Sequence, residues 1–329
     1  MLTRRRLLSQ ISAVGAATAV LQTNAVSAAA PSTVKTRVNF DVPRGACDCH
    51  VHAFDPATVP YLPQRPFTPP PATAEDVREL LRELHLDRVV IVQPLFYGTN
   101  NSYVLDALRR FGKNARALAI IDKATPRGAL EEMAGGGFRG VRLNFETRGV
   151  ADPEAIKGRI DAVTEQMRGL NWYLHFYSQP SVIAQLKDHL AQQPLPVVID
   201  HFGGAQASQG LDQPGFDAVV DLVRTGRAYV KISGANRISR RDPDFPDAAP
   251  LAQALVKANA DRVLWGTDWP HLNPVYGRGK PLTEISPPLP IDDGMVLNQL
   301  PKWVPDPPTV KKILVDNPAR IYGFEPVAG

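Results

Sequence analysis

Apolar residues along this chain fall into short runs that alternate with stretches of helical period. Eight runs of five to eight residues read as strands: Ala46–His52, Arg88–Gln93, Ala115–Asp122, Phe138–Phe145, Trp172–Tyr177, Val197–His201, Tyr229–Ser233 and Arg262–Thr267. Between them lie amphipathic stretches at Ala74–His85, Tyr103–Phe111, Pro153–Leu170, Pro180–Leu190, Phe216–Thr225 and Ala248–Asn259, with Pro126–Ala134 filling the remaining gap. The tail Thr309–Ile321 reads as a closing helix. Eight strands alternating with helices predict an α/β fold, a single-domain (β/α)8 barrel over residues 31–329. A doubly wound sheet would carry a Gly-x-Gly-x-x-Gly turn between a strand and the helix after it, and no strand here is followed by one. Gly135-Gly136-Gly137 precedes a strand and reads as a turn.

Two connections are long and proline-rich: Asp55–Thr73 after the first strand and His271–Pro290 after the last. Both leave strand C-termini, where barrels build their active sites, and long connections of this kind are usually functional. They are expected to form the rim or lid of a pocket.

The N-terminus has a pattern of its own. Thr3-Arg4-Arg5-Arg6-Leu7-Leu8-Ser9 leads into a mildly apolar stretch from Ile11 to Leu21, then small residues ending at Ala28, Ala29 or Ala30. Paired arginines before a weak apolar region resemble a twin-arginine (Tat) signal, so residues 1–30 are expected to engage the Tat export machinery and be removed in the periplasm. The chain has a formal net charge of +4, and the three arginines of this segment leave +1 for the remainder. Without a basic patch interleaved with aromatics, no nucleic-acid partner is expected. No interior run is long and apolar enough to suggest a membrane span, so no stable insertion is expected after cleavage.

Cys47 and Cys49 are the only cysteines. On one strand they would share a face about 6–7 Å apart, a separation that strains a disulfide. They are expected to be buried thiols on the outer face of the first strand.

Polar chemistry gathers at the strand ends. In Asp48-Cys49-His50-Val51-His52, a period of two puts Asp48, His50 and His52 on one face. Two imidazoles at i and i+2 can converge on one ion or one oxyanion. His175 in the fifth strand, His201 after the sixth and Asp268 after the eighth add to them. A lone histidine in an apolar strand is usually a satisfied core residue, but four histidines and an aspartate at the ends of strands one, five, six and eight are not chance placement.

This constellation resembles the amidohydrolase superfamily. The Asp48–Asp55 segment, the proline-rich loop and the motifs GVRLNF, DHFGG and GTDWPH resemble, more narrowly, its 2-pyrone-4,6-dicarboxylate lactonase group, from about Val42 to the C-terminus. The resemblance implies a hydrolase opening a small carboxylate-bearing lactone, with His50, His52, His201 and Asp268 as its catalytic core. Asp268 would take a proton from the attacking water while the histidines polarise the carbonyl. Arg142, Arg148 and Arg237 would hold substrate carboxylates, and Tyr177 matches a pocket tyrosine.

Two departures qualify the match. Gly203-Gly204 stands where the dicarboxylate lactonases carry an arginine, so one carboxylate contact is missing. His175 matches a strand-five metal ligand of mononuclear relatives. His50, His52, His175 and Asp268 would suit one Zn2+ or similar ion, and a metal-free mechanism is the alternative. A metal-dependent non-oxidative decarboxylase is the second enzyme class that the same fold implies. A non-catalytic anion-binding protein would have lost the base or the His-x-His, and neither is lost.

Overall fold

Eight parallel strands follow one another around the molecule in chain order: β1 (Cys47–Val51), β2 (Arg88–Val92), β3 (Ala115–Ala119), β4 (Phe138–Asn144), β5 (Tyr173–Tyr177), β6 (Val197–Ile199), β7 (Ala228–Ser233) and β8 (Val263–Gly266). This is a computed structural model that describes residues 33–326; the expected export segment, residues 1–30, lies outside the described residues. The circle closes just past β8. The Asp268 N–H donates to the His50 carbonyl at 2.9 Å, and the His52 N–H donates to the Trp269 carbonyl at 2.9 Å. The fold is a single-domain (β/α)8 barrel.

Helices at Ala74–Glu83, Ser102–Phe111, Arg127–Gly135, Pro153–Gln166, Pro180–Ala191, Phe216–Arg224 and Ala249–Asn259 cover the outside. Their starts follow local chemistry. Thr73 and Asp76 form a reciprocal capping box before the first, and Asp152 caps the helix whose first residue is Pro153. Each buries an apolar stripe, such as Val77, Leu80 and Leu81, against outward residues such as Val89 and Ile91. Each such side chain contributes about 1.5–3 kcal/mol when fully buried. Among the described residues, no helix is long and apolar enough to cross a membrane.

β1 corrects the sequence expectation. Its register against β2 runs Asp48↔Val89 and then Val51↔Ile91, so β1 carries one extra residue, a β-bulge. The simple alternation therefore breaks. Cys47 and Cys49 belong to the cluster inside the barrel, with Val90, Leu118, Tyr229 and Leu264, and not to the outer face. Both are buried free thiols. Asp48 does not share the face of the histidines either. Its carboxylate accepts from the His50 N–H at 2.9 Å, the Thr267 N–H at 3.1 Å and the Thr267 hydroxyl at 2.6 Å, which ties β1 to the end of β8.

The interior is layered. Tyr322 and Phe324, just past the expected closing helix, pack into the apolar cluster at its lower end. That tail runs as Pro307–Lys311, a π-helical turn at Lys312–Asp316, and Asn317–Tyr322. Asn317 fastens it by donating to the Val263 carbonyl at 2.8 Å. Above the apolar layer, Arg142 lies beside His175 on neighbouring strands, and one step further Asn144 lies beside Tyr177.

The two long loops meet over the C-terminal end. Thr68 bridges to Ile285, the Ser286 N–H donates to the Thr68 carbonyl at 2.7 Å, and Arg65 donates to the Leu282 carbonyl at 3.1 Å.

Candidate active site

One carboxylate oxygen is the centre of the site. Oδ1 of Asp268 lies 3.5 Å from His50 Nε2, 3.8 Å from His52 Nε2 and 3.7 Å from His201 Nε2. It is buried and accepts no hydrogen bond. The other oxygen, Oδ2, accepts from Nε of Arg237 in a close ion pair. The resemblance brought His50, His52, His201 and Asp268 together, and the fold brings the same four together.

Backbone strain accompanies this arrangement. Asp268 has φ 71°, His201 φ 49° and His271 φ 58°. Non-glycine residues in this region cost about 1–3 kcal/mol each and persist where surrounding structure holds them. The Asp268 backbone is held by His50, and His201 by its ring. Its Nδ1 lies 3.0 Å from the Ser233 hydroxyl. Gly234, in the left-handed region at φ 60°, follows Ser233, and a Cβ there would stand 3.3 Å from the Asp268 side chain.

The ring partners assign tautomers. Nδ1 of His52 lies 2.8 Å from the Val92 carbonyl. A carbonyl only accepts, so Nδ1 holds the proton and Nε2 turns a lone pair toward the cavity. Nδ1 of His50 lies 3.3 Å from the ammonium of Lys231, which only donates, so that contact puts the His50 proton on Nε2.

Lys231 and Asp200 are functional-site residues that sequence reasoning missed. Both are fully buried, 3.0 Å apart, and Asp200 also lies 3.5 Å from His50 Nδ1. A signal for Lys231 was available. It is a lysine in an apolar strand, in phase with Tyr229 and Ser233. Asp200, the first residue of DHFGG, directly precedes His201 and has no such signal of its own.

Burial sets the protonation states. It pushes His50, His52 and His201 down to about 3, with Lys231 adding to the effect at His50 and Arg142 at His52, so all three rings are neutral at physiological pH. Burial alone would raise Asp268, but Arg237 and then the three imidazoles hold its carboxyl well below the usual carboxylate range. Asp200 is likewise held down against burial, chiefly by Lys231. Burial raises the Tyr177 hydroxyl to about 12.

The cavity above Asp268 is lined at its floor by His52, Arg142, Tyr177, His201 and Arg237. Its rim comes from Pro66 and Phe67 of the first long loop, Leu95 and Phe96 after β2, and Leu272 and Pro274 of the last loop. The expected rim role of the two loops is thus met. Tyr177 packs edge-on to His201 with ring centroids 4.8 Å apart. Arg142 is buried, and its guanidinium donates no hydrogen bond to the protein. Its Nε lies 3.7 Å from Asp200.

Two expected residues sit elsewhere than the resemblance implied, and a third is in place but partly engaged. His175 is not at the end of β5: Tyr177 is, and His175 lies two residues deeper, stacked on Tyr322 at 5.8 Å. Two residues along a strand span about 6–7 Å, which takes its ring below the other imidazoles. Arg148 is exposed and does not line the cavity; it lines a neighbouring depression with Arg159. Arg237 lines the cavity but spends Nε on Asp268.

Ligand atoms of His50, His201 and Asp268 lie within 4.8 Å of one another and could hold a metal ion. Asp268 Oδ1 is buried without a hydrogen bond, which fits an ion, and His50 Nε2 could join it once the His50 proton stands on Nδ1, toward Asp200. The expected set of His50, His52, His175 and Asp268 is not the one that converges. His52 and His175 fall outside the group, and His201 takes a place in it.

The sequence profile of the family described as Amidohydrolase matches residues 47–324. A 4-sulfomuconolactone hydrolase from Hydrogenophaga intermedia is 36% identical over 296 residues, covering 87% of this chain and 91% of that protein. A protein from Comamonas testosteroni described as a 2-pyrone-4,6-dicarboxylate hydrolase is 31% identical over 302 residues, covering 89% and 94%. A solved apo structure from Agrobacterium tumefaciens superposes with a TM-score of 0.71 at 26% identity, covering 87% of this chain and 98% of that one.

Proposed function

The chain belongs to the amidohydrolase family, and we propose that within it this protein is a lactonase that opens a small ring ester bearing an anionic group. The observation that carries the reading is the free Oδ1 of Asp268, ionised, buried and faced by three neutral imidazoles.

Water bound between Asp268 Oδ1 and the lone pair on His52 Nε2 gives its proton to Asp268 as its oxygen attacks the lactone carbonyl. Negative charge develops on the carbonyl oxygen, and Nε2–H of His50 donates to it. Collapse breaks the bond to the ring oxygen, which takes back the proton held by Asp268. The sum is addition of one water across the ester, leaving a carboxylic acid and a hydroxyl group. His201 packs between Asp268 and Tyr177 and orients both. Arg142, with its donors unspent, binds the substrate's anionic group as guanidinium groups bind carboxylates. A divalent ion would be held by His50, His201 and Asp268 and would supply Lewis acidity and a more acidic bound water.

Lactone hydrolases at 31–36% identity favour hydrolysis over the decarboxylase alternative. The paired arginines and apolar stretch of residues 1–30 support a periplasmic location reached through the Tat machinery.

The test follows ring opening of a carboxylated 2-pyrone and of its methyl ester by the wild type and by Arg142→Met. The acid should be hydrolysed, and Arg142→Met should raise its KM by about 30-fold or more, the weight of a desolvated charge contact, while changing the ester's KM little. Equal effects on both substrates would remove Arg142 from recognition, and no ring opening by the wild type would remove the lactonase reading.

A further inference from the structure

The charges around the cavity are unevenly placed. Among the described residues, the cations lining it are Arg142 and Arg237, both at its floor. Arg237 gives its Nε to Asp268, and that carboxylate offsets its charge, which leaves Arg142, 3.7 Å from an Asp200 already paired with Lys231, as the cation with no hydrogen bond to the protein. Arg65, near the rim, does not line the cavity, and each of its three nitrogens donates to the loops, to the Thr68 hydroxyl and to the Leu62 and Leu282 carbonyls. Arg148 lies outside the cavity.

A further cation cannot come from Gly203 or Gly204. Both have positive φ, 70° and 75°, and a Cβ would meet Val219 at 2.8 Å in the first and the Ser178 carbonyl oxygen at 2.4 Å in the second. The backbone after β6 is thus pressed against its neighbours, and neither position admits a longer side chain in this conformation.

The opposite wall is apolar and packed. Phe96 sits edge-on to Phe54 and to Tyr61, each with ring centroids 4.7 Å apart, so its face to the cavity is fixed from behind. Phe67, Leu272 and Pro274 continue that surface.

We propose that the substrate of this site, taken as a lactonase, is a monoanion: one carboxylate held by Arg142 at the floor, with an uncharged apolar substituent on the far side of the ring against Phe67, Phe96 and Leu272. A ring dicarboxylate would leave its second charge desolvated against this wall with no partner, which is costly.

Two pairs of probes match in shape and differ in charge. The first is 4-isopropyl-2-pyrone-6-carboxylate against 2-pyrone-4,6-dicarboxylate, compared by kcat/KM for ring opening. The second is 3-isopropylbenzoate against isophthalate, unreactive rings compared by calorimetric binding. The monoacid should win each comparison by about tenfold or more, as expected when a second charge goes unpaired. Leu272→Arg, which places a cation on the half-buried rim, should shift both preferences toward the diacid. Isophthalate binding as tightly as the monoacid, or neither acid binding, overturns the proposal. If neither pyrone is opened but 3-isopropylbenzoate still binds the tighter, the substrate class stands and the hydrolytic reading falls.

Discussion

The ammonium of Lys231 lies 3.3 Å from Nδ1 of His50, on the side of the ring away from Asp268. It is also paired with Asp200, so one buried lysine both neutralises a carboxylate and fixes which ring nitrogen of His50 carries the proton. Asp200 competes for the same nitrogen at 3.5 Å, and accepting from it would move the proton to Nδ1 and free Nε2 as a metal ligand. Lys231 thus favours His50 as a hydrogen-bond donor toward the cavity.

Removing Lys231 leaves Asp200 buried and unpaired. Lys231→Met should cost about 3–5 kcal/mol of stability, and Asp200→Asn in the same chain should recover most of it. Denaturant unfolding of the two variants checks this. In the double variant, Zn2+ affinity measured by calorimetry should exceed that of the wild type, because nothing then opposes the tautomer with a free Nε2.

Asp268→Asn keeps the shape of the base and removes its basicity. kcat should fall by about 10²–10⁴, the usual share of general-base catalysis, while binding of an unreactive carboxylate ring is largely kept. Steady-state kinetics with parallel calorimetry separates the two. Near wild-type turnover would mean that another group takes the proton, with His201 the first to examine.

Arg237 is the ion-pair partner that holds the Asp268 carboxyl low. A base works above its pKa and is lost as pH falls through it. In the wild type, with the pKa held below the carboxylate range, kcat should therefore show no acid limb from Asp268 between about pH 5 and 8. Arg237→Met removes the opposing charge and raises that pKa, so the loss of activity should begin at a higher pH. A pH–rate profile of chelator-treated enzyme gives the comparison, and an unmoved acid limb would mean that Arg237 does not control the base.

The proposed export through the Tat route requires Arg4 and Arg5. Replacing both with Lys should leave unprocessed precursor in the cytoplasm, seen by fractionation and immunoblotting. Unchanged periplasmic yield would rule out the Tat route.

The sequence by itself determined the barrel and most of its carboxylate–imidazole cluster. Strand periodicity is a local property, and all eight strands form where the apolar runs lie, from Cys47–Val51 to Val263–Gly266. Strand C-termini all face one end of a parallel barrel, so His50, His52, His201 and Asp268 had to converge once the fold was known. What the sequence did not decide is everything that depends on one residue of phase or on a partner far away in the chain. A bulge at β1 turned Cys47 and Cys49 inward and set Asp48 between strands, because an extra residue reverses the facing of a strand. His175, two residues short of the strand end, went below the cavity, and Tyr177 took its place. Lys231 meets Asp200 and His50 across the barrel, 31 and 181 residues away in the chain, and Arg237 meets Asp268 at the cavity floor. Those pairings fix proton positions and charge, and they exist only because closing the barrel takes buried ionic groups out of water and forces each to find a partner.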